Sequence, residues 1–133
     1  TPLSESKSRD LLKEKALEDL KKIEWYTVSR YDHDDIMLNA NNIVVNHQLS
    51  RVTAHVRHAP LADVEKGIFN NFEEYVEIHD CLNSTVRASR RYVYKDGELL
   101  ETQEWQIPWE KINKNSVGEQ IHKDACEYLE LID

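Results

Sequence analysis

The chain is poor in the residues that several common functional sites require. Its 133 residues include only three glycines, which leaves no glycine-rich loop of the kind that cradles phosphate groups. It contains neither a nucleophile elbow nor a Cys-x-x-Cys pair, so the sequence offers no catalytic or redox motif. No apolar run approaches the length of a membrane span. We therefore expect a non-enzymatic protein that needs no cofactor.

Basic charge is also scarce. The sequence has 17 lysines and arginines against 25 aspartates and glutamates, which gives a formal net charge of −8. Nucleic acids and anionic membranes bind basic surfaces, so neither is expected as a partner. The chain begins at Thr1 without a Met, which is compatible with a signal peptide or a lipid anchor upstream.

The histidines and the acidic turn do not predict a metal site. His55 and His58 are three residues apart in a strand-like segment, so their side chains point to opposite faces. Asp32, Asp34 and Asp35 resemble the start of a calcium-binding loop, but the glycine and the distal glutamate of an EF-hand are absent. We therefore expect no bound metal ion.

The order of helical and strand-like patterns predicts one α+β domain. Residues 1–7 are a polar lead-in, and residues 8–133 form the domain, with a helix at 8–23, a sheet over 24–110 and a C-terminal helix at 116–132. About six strands without βαβ alternation predict an antiparallel sheet. The Asp96-Gly97 pair lies between two strand-like runs and is the strongest hairpin signal in the chain.

The last helix has a clear start and one apolar side. Ser116 and Glu119 form a capping box, in which each side chain bonds to a backbone N–H of the first turn. A helix of this length is marginally stable alone, so it is expected to dock on the sheet. Its apolar stripe consists of Val117, Ile121, Ala125, Tyr128 and Ile132.

The cysteine count leaves the redox state open. Cys81 ends a predicted central strand, and Cys126 lies at the edge of the apolar stripe of the last helix. Two buried thiols and one disulfide are both compatible with this count.

Cations concentrate in one predicted strand of this acidic chain. Strict alternation places Arg87 and Arg91 on one face and Arg90 on the other. Arginine and tyrosine are enriched in protein interfaces, so the strand is a candidate protein-binding patch. The alternative is a set of ion pairs with Glu101 and Glu104 on the next strand. The patch comprises Arg87, Arg90, Arg91, Tyr92, Tyr94 and Lys95.

A series of short motifs within residues 24–126 resembles the surface-adhesin protein E family of bacterial envelope proteins. The motifs are Glu24-Trp25-Tyr26-Thr27-Val28-Ser29, Asp35-Ile36 through Asn42-Ile43, Arg51-Val52-Thr53-Ala54-His55-Val56-Arg57, Ile78-His79-Asp80-Cys81, Arg87, Tyr92, Lys95-Asp96-Gly97, Trp109-Glu110-Lys111-Ile112, Ser116-Val117-Gly118-Glu119 and Cys126. Asn113-Lys114-Asn115 departs from the family, which tends to have Pro-Gly before the serine. The helix at 8–23 is an addition to the family pattern.

The resemblance implies both a fold and a function. The fold would be a curved antiparallel sheet of about six strands, with the C-terminal helix held on its concave face by a Cys81–Cys126 disulfide. The implied location is the bacterial cell envelope, in an exported and oxidising setting. The implied function is adhesion, which means binding host matrix or plasma proteins such as vitronectin, laminin and plasminogen.

Two other functions remain open from the sequence. One is a small-ligand carrier or enzyme with a cavity between the sheet and the last helix, lined by Tyr75, Trp105 and Tyr128. The other is a structural module that forms a homodimer through the helix at 8–23.

Overall fold

The computed structural model describes residues 15, 18, 19, 22, 24–104 and 108–132. The lead-in at 1–7 and Trp105 lie outside these residues. The predicted helix at 8–23 also lies outside them, apart from four exposed helical positions, Lys15, Glu18, Asp19 and Lys22.

Residues 24–104 and 108–132 form one antiparallel sheet and two helices. The strands are β1 (Trp25–Tyr31), β2 (Asp34–Asn39), β3 (Val44–Asn46), β4 (Arg51–Pro60), β5 (Phe72–Asp80), β6 (Thr85–Lys95), β7 (Glu98–Glu104) and β8 (Glu110–Lys111). The helices are α1 (Leu61–Glu65) and α2 (Val117–Leu131). Six strands follow the order β1-β2-β4-β5-β6-β7, while β3 pairs with β4 and β8 pairs with β6. The sheet curls into a half-barrel, which confirms the predicted α+β class with its C-terminal helix.

Two tight turns fix the register of neighbouring strands. Asp96 and Gly97 both have positive φ, at 52° and 80°, and join β6 to β7 as the Asp-Gly pair predicts. Asp32 and His33 make the same kind of two-residue connection between β1 and β2, with φ of 49° and 68°. Aspartate and histidine are among the residues that tolerate this left-handed region.

Helix α2 covers one side of the sheet, which we call the inner face. The main core cluster joins Leu38 of β2 and Val52 and Ala54 of β4 to Ala125 and Tyr128 of α2. A second cluster places Ile121 of α2 against Ile36 and Val56. The predicted apolar stripe of the helix therefore supplies the core. We call the opposite side of the sheet the outer face.

The start of α2 uses its predicted cap. The Ser116 Oγ accepts a hydrogen bond from the Glu119 backbone N–H at 3.1 Å. The Glu119 carboxylate accepts one from the backbone N–H of Asn115 at 3.4 Å, one residue earlier than in a standard capping box. Near the other end of the helix, the Tyr128 hydroxyl pairs with the Tyr26 hydroxyl at 2.9 Å, so neither buried group lacks a partner.

The central core leucine should carry a large share of the stability. Leu38 is fully buried, whereas Leu100 is 67% exposed. We expect Leu38→Ala to lower the free energy of unfolding in urea by about 3 kcal/mol, because it leaves a cavity between the sheet and α2. The same truncation at Leu100 should change it by less than about 0.5 kcal/mol. Equal losses for the two variants would contradict the assigned core.

Candidate functional site

A bulge in strand β6 decides which side chains of the predicted patch share a face. The register runs from Val76 opposite Arg90 to Glu77 opposite Ala88. Ser89 is therefore an extra residue, and it changes the alternation of β6 by one position. As a result, Arg87 faces the same side as Arg90, and Arg91 faces the other. The prediction that Arg87 and Arg91 share a face is wrong for this reason.

Four side chains of the predicted patch lie together on the outer face. We call Arg87, Arg90, Tyr92 and Tyr94 the outer patch; Lys95 is exposed at the end of the same strand. The ring of Tyr94 stacks on Phe72 of β5, with centroids 4.5 Å apart. Arg90 pairs with Glu104 across the β6–β7 ladder at 3.3 Å, as the ion-pair alternative predicts. Both of these side chains are more than half exposed, so the pair contributes little to stability.

Arg91 belongs to the inner face instead. It lies opposite Tyr75, makes an ion pair with Glu73 and donates a hydrogen bond to the Gln103 side chain at 3.1 Å. Burial would raise the pKa of Glu73, but hydrogen bonds from Tyr75 and Arg91 outweigh it and lower that pKa. Arg91 is therefore part of a polar network that joins β5, β6 and β7.

No pattern in the sequence indicated that Arg57 would occupy an aromatic cluster. Its guanidinium lies 3.9 Å from the ring centroid of Trp25, 4.3 Å from that of Phe72 and 5.3 Å from that of Phe69. Burial in this cluster lowers the pKa of Arg57. Alternation on β4 predicted only that Arg57 points away from the apolar side. The rings come together because β1, β5 and the loop after α1 meet on the outer face.

Phe72 links the Arg57 cluster to the outer patch, since it contacts Arg57 on one side and Tyr94 on the other. The outer face therefore carries a continuous strip of arginine and aromatic side chains across β1, β4, β5 and β6. Strips of this composition are typical of protein interfaces.

The inner face carries a buried chain of polar contacts that ends at the disulfide. His79 Nε2 lies 3.0 Å from Glu77 Oε1, and His79 Nδ1 lies 2.9 Å from His122 Nδ1. His122 Nε2 lies 3.6 Å from Cys126 Sγ. His79 is 1% exposed and His122 is 8% exposed, so these contacts are shielded from water.

The contacts define one arrangement of protons when both imidazoles are neutral. A carboxylate only accepts, so His79 then donates to Glu77 from Nε2, and its Nδ1 accepts. His122 then donates from Nδ1, and in its neutral form it has a lone pair on Nε2, directed at Cys126. Burial and the neighbouring His79 lower the pKa of His122, which favours this neutral form.

Cys81 and Cys126 form the disulfide that the family resemblance implies, with Cα atoms 5.8 Å apart. Both cysteines line an open cavity of about 560 Å³ between α2 and the ends of β5 and β8. The disulfide is compatible with an exported or extracellular protein.

A second cavity of about 540 Å³ lies between the sheet and the start of α2. Ile36, His58, Glu77 and Ile121 are among its lining residues. Burial lowers the pKa of His58. The predicted lining is different: the Tyr128 hydroxyl is bonded to Tyr26, the Tyr75 hydroxyl donates to Glu73 at 2.8 Å, and Trp105 lies outside the described residues. Neither tyrosine lines either cavity.

The His79–His122 pair was missed, although the sequence contained a signal for it. His79 precedes Cys81 by two residues on a strand, and His122 precedes Cys126 by four on a helix. Each histidine therefore lies on the same side of its element as the cysteine. Once the two cysteines are joined, the two imidazoles must come together.

Within the described residues, no group of three or more His, Cys, Asp or Glu side chains could hold a metal ion. The same residues contain no helix long and apolar enough to cross a membrane.

No family model, curated protein or solved structure matches the chain. The resemblance to the protein E family therefore rests on the motifs quoted above.

The buried histidines should make the fold sensitive to mild acid. A histidine whose pKa is lowered by folding stabilises the fold fully above its unfolded pKa near 6.5, and that stabilisation is lost as the pH falls through the lower folded value. We expect the free energy of unfolding to fall between pH 7.5 and pH 5.5, and to fall less in His122→Asn.

A suitable control is His33→Asn, because His33 is exposed in a turn with positive φ that asparagine also tolerates. Urea titrations at several pH values measure how steeply the free energy of unfolding changes with pH in each variant. If this pH dependence is the same in His122→Asn as in the unmodified protein, the role given to His122 is contradicted.

Proposed function

We propose that the chain is a non-enzymatic, exported protein-binding domain of the bacterial cell envelope, similar to an adhesin, which binds its partner through the outer patch. The observation that carries this proposal is the bulge at Ser89, since it gathers Arg87, Arg90, Tyr92 and Tyr94 on one face. Arginine and tyrosine contribute large apolar area together with directed hydrogen bonds, which explains their frequency among binding hot spots.

Charge and pre-organisation support the same surface. The outer patch concentrates cations in a chain with a net charge of −8, so it offers an acidic partner a local site of attraction. Stacking of Tyr94 on Phe72 limits its rotation before binding. A side chain that is already ordered loses less conformational entropy when the partner arrives.

The proposed location rests on the disulfide and on the family resemblance. A bond between Cys81 and Cys126 persists in an oxidising setting and is rare in a reducing cytosol. The resemblance adds the envelope and makes vitronectin, laminin and plasminogen the first partners to test.

One observation favours a second function, the binding of a small ligand. The cavity of about 540 Å³ between the sheet and α2 falls within the range of ligand pockets, and it combines Tyr31 and Ile121 with the polar groups of His58 and Glu77. Ile121→Trp would narrow this cavity. Retention of a bound small molecule by the unmodified protein, and its loss in Ile121→Trp, would favour this function over protein binding.

The third possibility, a homodimer module, depends on the helix at 8–23, which lies outside the described residues.

The outer patch can be tested without disturbing the core. We expect Arg87→Ser/Arg90→Ser to weaken binding to an immobilised matrix or plasma protein by about tenfold or more, because two arginine anchors are removed. The thermal midpoint should stay within about 2 °C, because Arg90 is more than half exposed and Arg87, although partly buried, belongs to neither core cluster. Arg91 is left unchanged because its loss would break the pair with Glu73.

A matched control removes two positive charges from the helix side of the sheet. Lys114 and Lys123 are exposed and line the cavity at the disulfide, away from the outer face. Lys114→Ser/Lys123→Ser should bind as the unmodified protein does. If both double variants lose affinity equally, net charge and not the outer patch governs binding.

A further inference from the structure

The disulfide is placed where a reagent can reach it. Cys81 and Cys126 are only partly buried, and both line the open cavity of about 560 Å³. A dithiol is small enough to enter a cavity of this volume. A titratable side chain, that of His122, lies beside one of the two sulfurs.

The histidine at the sulfur is oriented by a second and a third group. His122 Nε2 lies 3.6 Å from Cys126 Sγ, while its Nδ1 is held by His79, which in turn is held by Glu77. The arrangement therefore resembles the nucleophile, base and orienting group of a thiol catalyst. A role limited to satisfying buried polar atoms would not require the lone pair of Nε2 to point at a sulfur.

We propose that Cys81–Cys126 is a thiol–disulfide exchange site whose reduced form is stabilised by a Cys126 thiolate–His122 imidazolium pair. The co-reactant is a small dithiol or a protein dithiol. This inference does not depend on the proposed protein binding, because it concerns the other side of the sheet.

The exchange has two steps. A reagent thiolate attacks Cys81 Sγ and forms a mixed disulfide, the bond between Cys81 and Cys126 breaks, and its electron pair remains on Cys126 Sγ. His122 takes up a proton from solvent at Nε2 and pairs with this thiolate. The second thiolate of the reagent then attacks the mixed disulfide and releases Cys81, which takes a proton from solvent. The reagent is oxidised to its disulfide, and two electrons reduce the protein.

The charges around the site are mixed. Burial opposes the protonated form of His122 most strongly, and His79 on β5 opposes it further. Asp80 and Glu77 on the same strand favour it. The cavity itself is lined by Lys114 and Lys123 together with Glu119, Glu127 and Glu130. A reagent without net charge is therefore the best first probe.

The test is the rate at which dithiothreitol reduces the folded, oxidised protein. The rate constant, divided by the thiolate fraction of the reagent, is measured between pH 6 and pH 8.5 for the unmodified protein and for His122→Asn. We expect the unmodified protein to react about tenfold faster at pH 7, because a leaving thiol of lower pKa departs faster. Its corrected rate constant should rise as the pH falls, and that of His122→Asn should stay level.

His58→Asn is the matched control, since His58 is a partly buried histidine on the inner face of the sheet that lines the other cavity. It should react as the unmodified protein does. Thermal melting of each oxidised variant shows that the reaction starts from a folded state. Equal corrected rates and equal pH profiles for His122→Asn and the unmodified protein would overturn the proposal.

A second readout concerns the reduced state. The pH dependence of alkylation by iodoacetamide should give Cys126 a pKa below the usual value of about 8.5 in the unmodified protein and an ordinary one in His122→Asn. A merely structural histidine would not produce this difference. An ordinary pKa in both proteins would contradict the thiolate–imidazolium pair.

Discussion

The docking of α2 on the inner face is the constraint on which the rest of the structure depends. Ile121, Ala125 and Tyr128 fill the space inside the curled sheet, and most of the buried apolar side chains contact them directly. The disulfide adds a covalent link across 45 residues of sequence. In the chain-entropy model such a loop contributes about 4 kcal/mol, which is a large part of the stability of a small domain. Without this docking the inner face would expose its apolar residues to water.

The docked helix also divides the sheet into two chemically different sides. On the inner face, beyond the apolar core, a chain of polar contacts runs from the partly exposed carboxylate of Glu77 through two buried imidazoles to the disulfide. On the outer face, contacts among aromatic rings and a guanidinium group join side chains of four strands. The bulge at Ser89 contributes to both, because it sends Arg91 inward to Glu73 and leaves Arg87 with the outer patch.

Local signals predicted the elements of the fold well. The Asp96-Gly97 turn, the Ser116 cap and the apolar stripe of the last helix each depend on residues close in sequence, and each is present. The Cys81–Cys126 pairing came from the family resemblance. Strict alternation failed on β6, because a bulge depends on how two strands pair and leaves little trace in one of them.

The composition of the candidate sites was harder to predict than the elements. The rings around Arg57 come from β1, β5 and a loop, so the cluster requires a register across several strands that no local pattern contains. The predicted lining of Tyr75, Trp105 and Tyr128 stays a prediction: neither tyrosine lines either of the two cavities described, and Trp105 lies outside the described residues. The His79–His122 pair, in contrast, follows from the cysteine pairing and the periodicities of a strand and a helix.

The most direct test of the account is the intact mass of the protein after denaturation and alkylation, with and without prior reduction. The protein should be purified from an oxidising compartment, because the Cys81–Cys126 bond joins the fold, the proposed location and the exchange site. The account predicts a monomeric mass with no alkyl adduct before reduction and two adducts after it. Two adducts without reduction would show free thiols, and would contradict the tether between α2 and the sheet.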